Sequence, residues 1–447
     1  MIAPYEEFLE KKKQIAKPSG FECEFGHDWL FPHQRHVCRV SAMRGRNLII
    51  AGTGLGKTRM ELALGDACVD QTGKPSLIIA PLGVVPQTVE EGLRVGVEIV
   101  RHGRGDAPVQ IINYDRLKEV DPSKFGAVIP DEASIMKNLF GATKQLMCSM
   151  FAETPYRFPA TWTPAPNDHT EFGSQAEFLG IMTMQAMLAR FFVHDSGQTS
   201  EWRLKGHGKD AFWKWLRSWA TCYQKPSDLN MGFSDDGYIL PALHMIQETV
   251  ETEPDISSGK LISDARLSAT TLHTEMRKTS PDRAARVAEI IAREPDETWF
   301  VLCETDYEAE DIRKSVPGIV EVKGKAMSDD LKEARLLAFG RGEIPRFLSK
   351  SSIVGMGMNY QKCARIIISA SSYSFERKMQ VIRRCWRFGQ EREVYCYLIN
   401  TAAEWSILEA IDRKKENHEE MVREMVKVMN EGEDSDIEQL HRDDAAG

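Results

Sequence analysis

A chain of 447 residues with 42% hydrophobic and 28% charged residues has an ordinary globular composition, long enough for two or three domains. No apolar run approaches the roughly 18 residues of a membrane span, and the charged N-terminus, MIAPYEEFLEKKKQ, lacks the apolar core of a secretory signal. Nine cysteines without a C-x-x-C pair and eleven histidines without metal-ligand spacing argue against a disulfide framework or a zinc site, and the net charge of −9 excludes a globally basic surface.

Residues 1–27 read as an N-terminal extension. From 28 to 170 short apolar runs alternate with helical patterns: 47–51 (NLIIA), 76–80 (SLIIA), 98–100, 109–112 (VQII), 127–129 (AVI) and 156–160. β-Branched runs separated by helices predict a parallel sheet covered on both faces. Residues 171–245 read as a helical insertion, with Phe212, Trp215, Leu216 and Trp219 at core spacing in DAFWKWLRSWA. Residues 246–284 read as a connector following a Gly-, Asp- and Pro-bearing stretch. A second α/β block spans 285–405, with strands expected at 299–303 (WFVLC), 319–322, 346–349, 365–369 (RIIIS) and 394–399. A C-terminal helix is expected over 406–430. The acidic tail, 431–447, holds seven acidic residues and one arginine, which leaves the body at −3. Such a tail is expected to be disordered.

Three segments carry chemistry. The first is AGTGLGKT, residues 51–58, between a strand and a helix. Gly52, Gly54 and Gly56 let backbone N–H groups approach phosphate oxygens, with Thr53 and Leu55 completing the loop. Lys57 supplies charge to the β- and γ-phosphates of ATP, and the Thr58 hydroxyl suits Mg2+. The second is Asp131–Glu132 at a strand end, where Asp131 can hold Mg2+ and Glu132 can orient the attacking water. Pro130, directly before them, marks the last residue of that strand. The third is QVIRRCWRFGQ, residues 380–390, where Arg384 and Arg387 can neutralise a leaving phosphoryl group; a solvated basic helix face is the plainer alternative.

Read together, these segments resemble a superfamily 2 helicase of the Swi/Snf-like, DEAD/DEAH-box-related branch, in particular the compact helicases of bacteriophages and prophages. The resemblance spans residues 28–405. It adds APLGVVPQT (80–88), TWTPAPND (161–168) and KSSIVGMGMNYQ (350–361) as motifs Ia, III and V, with the three segments above as motifs I, II and VI. It implies an α/β fold of two RecA-like P-loop lobes, parallel sheets with helices on both faces, plus the helical insertion and the C-terminal helix. It also implies ATP and Mg2+ as cofactors, hydrolysis of ATP between the lobes, and movement along nucleic acid, with double-stranded DNA as the expected track. A soluble, cytoplasmic bacterial setting follows.

Residue by residue, the resemblance makes Arg387 an arginine finger assisted by Arg384, and Gln34 the residue that reads adenine. It places Gly357 and Gln361 at the nucleotide in motif V. It brings Pro81 and Asn113 near the nucleic-acid backbone. Arg203 and Lys205, in a stretch carrying six Lys/Arg against two acidic residues (200–225), are further phosphate-contact candidates beside Trp202, although a solvated helix face explains the same charges. Two positions depart from the family pattern. Trp162 stands where motif III has a small residue, and Arg383 replaces an acidic residue common in remodellers. An ATP-gated clamp without motor activity and an RNA helicase remain open alternatives.

Overall fold

The computed structural model describes residues 16–137, 141–165, 168–194, 202–251, 269–324, 327–350, 353, 359–369, 375–401, 404 and 420–428. They form two compact units: Met1–Tyr238 together with His418–Gly447, and Ile239–Asn417.

The first unit is built on parallel strands. Among them β1 (Leu48–Ala51), β2 (Ser76–Ala80), β4 (Val109–Asn113) and β5 (Ala127–Pro130) are buried at every residue, as strands covered on both faces must be. With β3 (Ile99–Arg101) and β6 (Tyr156–Arg157) they give the order β3-β4-β2-β5-β6. A second set, β10-β1-β7, adds β7 (Ala160–Thr161) and β10 (Ala220–Tyr223). Parallel bridges at Asp131–Ala160 and Arg46–Arg157 join the two sets edge to edge. The strand expected at 156–160 is thus split at Phe158–Pro159, where proline has no N–H for the ladder.

Alternate residues of these strands feed two cores. Ile49, Ile78, Ile111 and Ile129 face α1 (Pro32–Arg44), α2 (Lys57–Thr72) and α3 (Val84–Val95). Leu48, Leu77, Ile112 and Val128 face a helical layer that includes α4 (Ala142–Met150), α5 (Phe172–Leu179), α6 (Met184–Phe191) and α7 (Lys209–Arg217). Phe212, Trp215 and Trp219 are fully buried in this layer. Between α6 and α7, β8 (Phe192–His194) and β9 (Trp202–Leu204) form an antiparallel hairpin.

The segment expected as a helical insertion also carries the strands β8, β9 and β10. Its helices share a single core with the sheet, and its strand β10 pairs with β1 throughout. Residues 420–428, the described part of the expected C-terminal helix, also belong here: Met421, Val422 and Met425 are buried in the same core. The rest of that helix and the acidic tail lie outside the described residues.

The second unit is one parallel six-stranded sheet, β11-β16-β15-β12-β14-β13. Its strands are β11 (Leu243–Val250), β12 (Trp299–Cys303), β13 (Val320–Val322), β14 (Arg346–Lys350), β15 (Arg365–Ile368) and β16 (Val394–Thr401). The helices are α8 (Ala269–Arg293), α9 (Asp306–Ser315), α10 (Asp329–Gly340) and α11 (Phe375–Cys385). The expected connector, 246–284, instead supplies most of β11 and the first part of α8. Eight residues of β11 pair with β16, and the ladder stabilises a stretch whose neighbouring Gly and Pro suggested a loop.

One buried ion pair ties this unit together. Arg283 of α8 and Glu404 meet at 2.6 Å with side chains 1% and 0% exposed. Arg283 also donates to the carbonyls of Ser369 and Ile399, both at 2.9 Å, and to the Thr279 hydroxyl at 2.8 Å. Glu404 accepts from the Thr401 N–H at 2.7 Å. Removing one partner of such a pair leaves an uncompensated buried charge, which costs about 3–5 kcal/mol. Arg283→Met is expected to lower the urea midpoint accordingly, and adding Glu404→Gln should recover part of the loss. A single variant as stable as wild type would show that the pair does not hold the unit.

Candidate active site

Because every strand of the first unit's main sheet is parallel, all of their carboxyl ends lie along one edge. The loop 52–56 follows β1, Pro81 follows β2, Asn113 ends β4, Asp131 and Glu132 follow β5, Trp162 follows β7 and Gln224 follows β10. The expected motif residues of this unit are gathered there by topology alone, at the edge where open α/β sheets place ligands.

The loop 52–56 ends at the N-terminus of α2, whose first residues are Lys57 and Thr58. Gly54 and Gly56 take left-handed backbone angles, φ 88° and 78°, which a side chain would strain. A Cβ on Gly56 would sit 2.2 Å from Gln34 Nε2, and one on Gly52 would sit 2.8 Å from the Gln224 carbonyl oxygen. Two glutamines thus flank the loop, and the glycines are needed for that packing as well as for any approach of an anion. Exposed N–H groups at a helix N-terminus form an anion cradle, and Lys57 Nζ, donating to the Ala51 carbonyl at 3.1 Å, lies at its start.

Gln34, the expected adenine reader, is 1% exposed. Its Nε2 donates to the Leu55 carbonyl at 2.9 Å and its Oε1 accepts from the Phe31 N–H at 3.0 Å. In this structure both ends of its amide support the loop and the first turn of α1. Burial lowers neighbouring His33 to about 4, so its ring is neutral at pH 7 and adds no charge to the cradle.

Asp131 is buried, and its Oδ1 accepts from the Glu132 N–H at 2.9 Å. Glu132 has φ 53°, a left-handed conformation uncommon for a side-chain-bearing residue. Tyr114 donates to the Asp131 carbonyl at 2.6 Å, and Gln175 of α5 donates to the Ala133 carbonyl at 2.8 Å, so the turn is held from both sides. Burial, then the Asp131 charge, push the Glu61 carboxyl well above the usual range; Glu61 lies one helical turn after Lys57. Motif reading missed Glu61, Gln175 and Gln224. The signal for Glu61 was a carboxylate on the face of α2 that otherwise carries Leu62, Leu64 and Gly65.

In the second unit, Arg384 and Arg387 lie at and just after the end of α11. Arg387 contacts the Asn359 side chain; burial, then the Arg384 charge, bring it down to about 10, so it is charged at neutral pH. Gln390 is buried and its Nε2 donates to the carbonyls of Gln361, Cys363 and Cys385. Gln361 in turn donates to the Phe388 carbonyl at 3.2 Å, which makes it a tie between the end of motif V and motif VI. Gly357 lies outside the described residues.

The nucleic-acid candidates divide. Pro81 is half-buried beside exposed Leu82, and Arg203 is exposed on β9. Asn113 is buried, and Lys205 Nζ donates to the carbonyls of Ala189 and Arg190, both at 2.9 Å, where α6 ends. Lys209 and Arg217 are likewise engaged, with Glu424 and the Val428 carbonyl. Lys225 pairs with Asp235 at 2.8 Å, so local partners account for four of the six cations in this stretch.

Residues 282–389 match the helicase conserved C-terminal domain. The stretch that matches runs from α8 to the turn after α11 and includes Arg384 and Arg387. Among solved structures, the chain is similar to the Sulfolobus solfataricus SWI2/SNF2 ATPase core in complex with dsDNA, at 16% identity and a TM-score of 0.42, covering 84% of this chain and 88% of that one. No curated protein matches the chain. Among the described residues, no helix is long and apolar enough to cross a membrane.

Proposed function

We propose that this protein is an ATP-driven nucleic-acid motor of the superfamily 2, Swi/Snf-like kind, with two RecA-like lobes. The observation that carries the reading is the placement of the 52–58 loop and the Asp131–Glu132 pair on one sheet edge, in a chain whose second unit matches a helicase domain. The residues fit a magnesium nucleotide: the loop is glycine-lined where a Cβ would clash, and Asp131 and Thr58 offer the hard oxygen donors that Mg2+ prefers. When bound, Mg2+ would neutralise charge on the phosphates. The loop N–H groups and Lys57 would bind the phosphate oxygens, Glu132 would accept the proton of the attacking water, and Arg387 would stabilise charge on the transferring phosphoryl group. Lys57 would exchange its present bond to Ala51 for those oxygens.

Duplex DNA is the favoured track, on the resemblance of the motifs. The decisive experiment is the ATPase rate with duplex DNA, single-stranded DNA and RNA, paired with strand displacement and with Lys57→Ala as the inactive reference. Stimulation by duplex DNA is expected, reduced by Arg203→Glu with a shallower salt dependence. Stimulation by RNA alone would make the protein an RNA helicase. Hydrolysis that no nucleic acid stimulates would favour the ATP-gated clamp.

A further inference from the structure

Trp162 and Gln224 are joined over the end of β1. The strands that precede them, β7 and β10, flank β1 on its two sides, with Ile50 beside Thr161 and Ala51 beside Tyr223. The Trp162 indole N–H donates to Gln224 Oε1 at 3.2 Å. The contact therefore spans two strand spacings, roughly 10 Å, directly above the point where the phosphate loop begins. A small side chain at 162 could not reach that far.

Gln224 is in turn fastened to the loop. The Gly52 N–H donates to the Tyr223 carbonyl at 3.0 Å, and the Gln224 carbonyl oxygen occupies the space a Gly52 side chain would need. On its other side, Asp228 accepts from the N–H groups of Gln224 and Lys225 at 2.8 and 3.1 Å, which fixes the turn after β10. The Gln224 Nε2 is buried without an acceptor among the described residues, so Trp162 is the partner that orients this amide. An unpaired buried donor costs about 1–3 kcal/mol and is tolerated where the side chain is needed in place.

We infer that Trp162 and Gln224 are positioning residues for nucleotide binding: together they form a brace that sets the start of the phosphate loop, opposite the support given by Gln34. The inference rests on the proposed ATP site and deepens it. It gives the bulky residue at the motif III position a purpose, since the segment after β7 is linked through this amide to Gly52.

The test is equilibrium binding of Mg·ATP and Mg·ADP to the full chain. Trp162→Phe keeps a ring but loses the N–H, and Gln224→Ala loses the acceptor. Each is expected to weaken both nucleotides about 3–10-fold, the equivalent of one hydrogen bond, with the melting temperature unchanged. The double variant should be no weaker than either single variant, because both remove the same contact. Wild-type affinity in Trp162→Phe, or losses that add in the double variant, would overturn the brace while leaving the ATP site intact. If Trp162→Phe fails to fold, half-buried Gln224→Ala and Gln224→Met decide: the methionine keeps the length but not the acceptor and should bind as weakly as the alanine, and wild-type affinity in either would overturn the brace. A wild-type chain that binds neither nucleotide would overturn the ATP reading and the brace together.

Discussion

Glu132→Gln is expected to lower kcat for ATP hydrolysis by about 10²–10⁴-fold while nucleotide binding is retained. Glutamine matches glutamate in shape, so the left-handed backbone at 132 and its bond to Asp131 have no reason to change. What would be lost is the group proposed to accept the water's proton. The strained backbone itself is informative: such a conformation costs about 1–3 kcal/mol and persists where neighbours over-determine it. Here Tyr114 and Gln175 hold the turn on either side. Single-turnover hydrolysis measured beside equilibrium ATP binding checks the prediction, and wild-type turnover would remove Glu132 from the proposed mechanism.

Arg387→Ala is expected to reduce kcat by about 10³–10⁵-fold, the range for a finger that stabilises a transferring phosphoryl group, with a much smaller effect on ATP affinity. Arg387→Lys should not restore the rate, because a point charge cannot replace a planar, forked donor. Its contact with Asn359 also gives Arg387 a structural role, so the variant's melting temperature must be recorded with its kinetics. Equal losses in binding and turnover would argue that Arg387 holds the 359–363 segment rather than reaching the nucleotide.

Much of the fold was legible because parallel strands buried on both faces must be nearly continuous apolar runs. NLIIA, SLIIA, VQII and WFVLC announced themselves for that reason. Strands without that signature were hidden. In β11, LHMIQETV is polar and largely half-exposed, and its pairing with β16 is decided by a partner about 150 residues away. The strand β10 is only four residues long and lies directly after a tryptophan-rich helical pattern, so its periodicity had no room to register. Lys205 is a phosphate-contact candidate because charge can be counted in a sequence, whereas the helix end it caps cannot be seen there.

The sequence by itself determined the local chemistry of this protein: a glycine loop between a strand and a helix, a carboxylate pair at a strand end, and an arginine cluster after a helix. Each is a short contiguous pattern whose geometry follows from its own residues. The tertiary structure alone decided what supports that chemistry. Gln34, Gln175 and Gln224 reach the loop and the Asp131–Glu132 turn from separate elements, Trp162 holds Gln224, and the helices of the expected insertion share one core with the sheet. Such contacts depend on which strands become neighbours, and long-range strand pairing leaves no local periodicity to read.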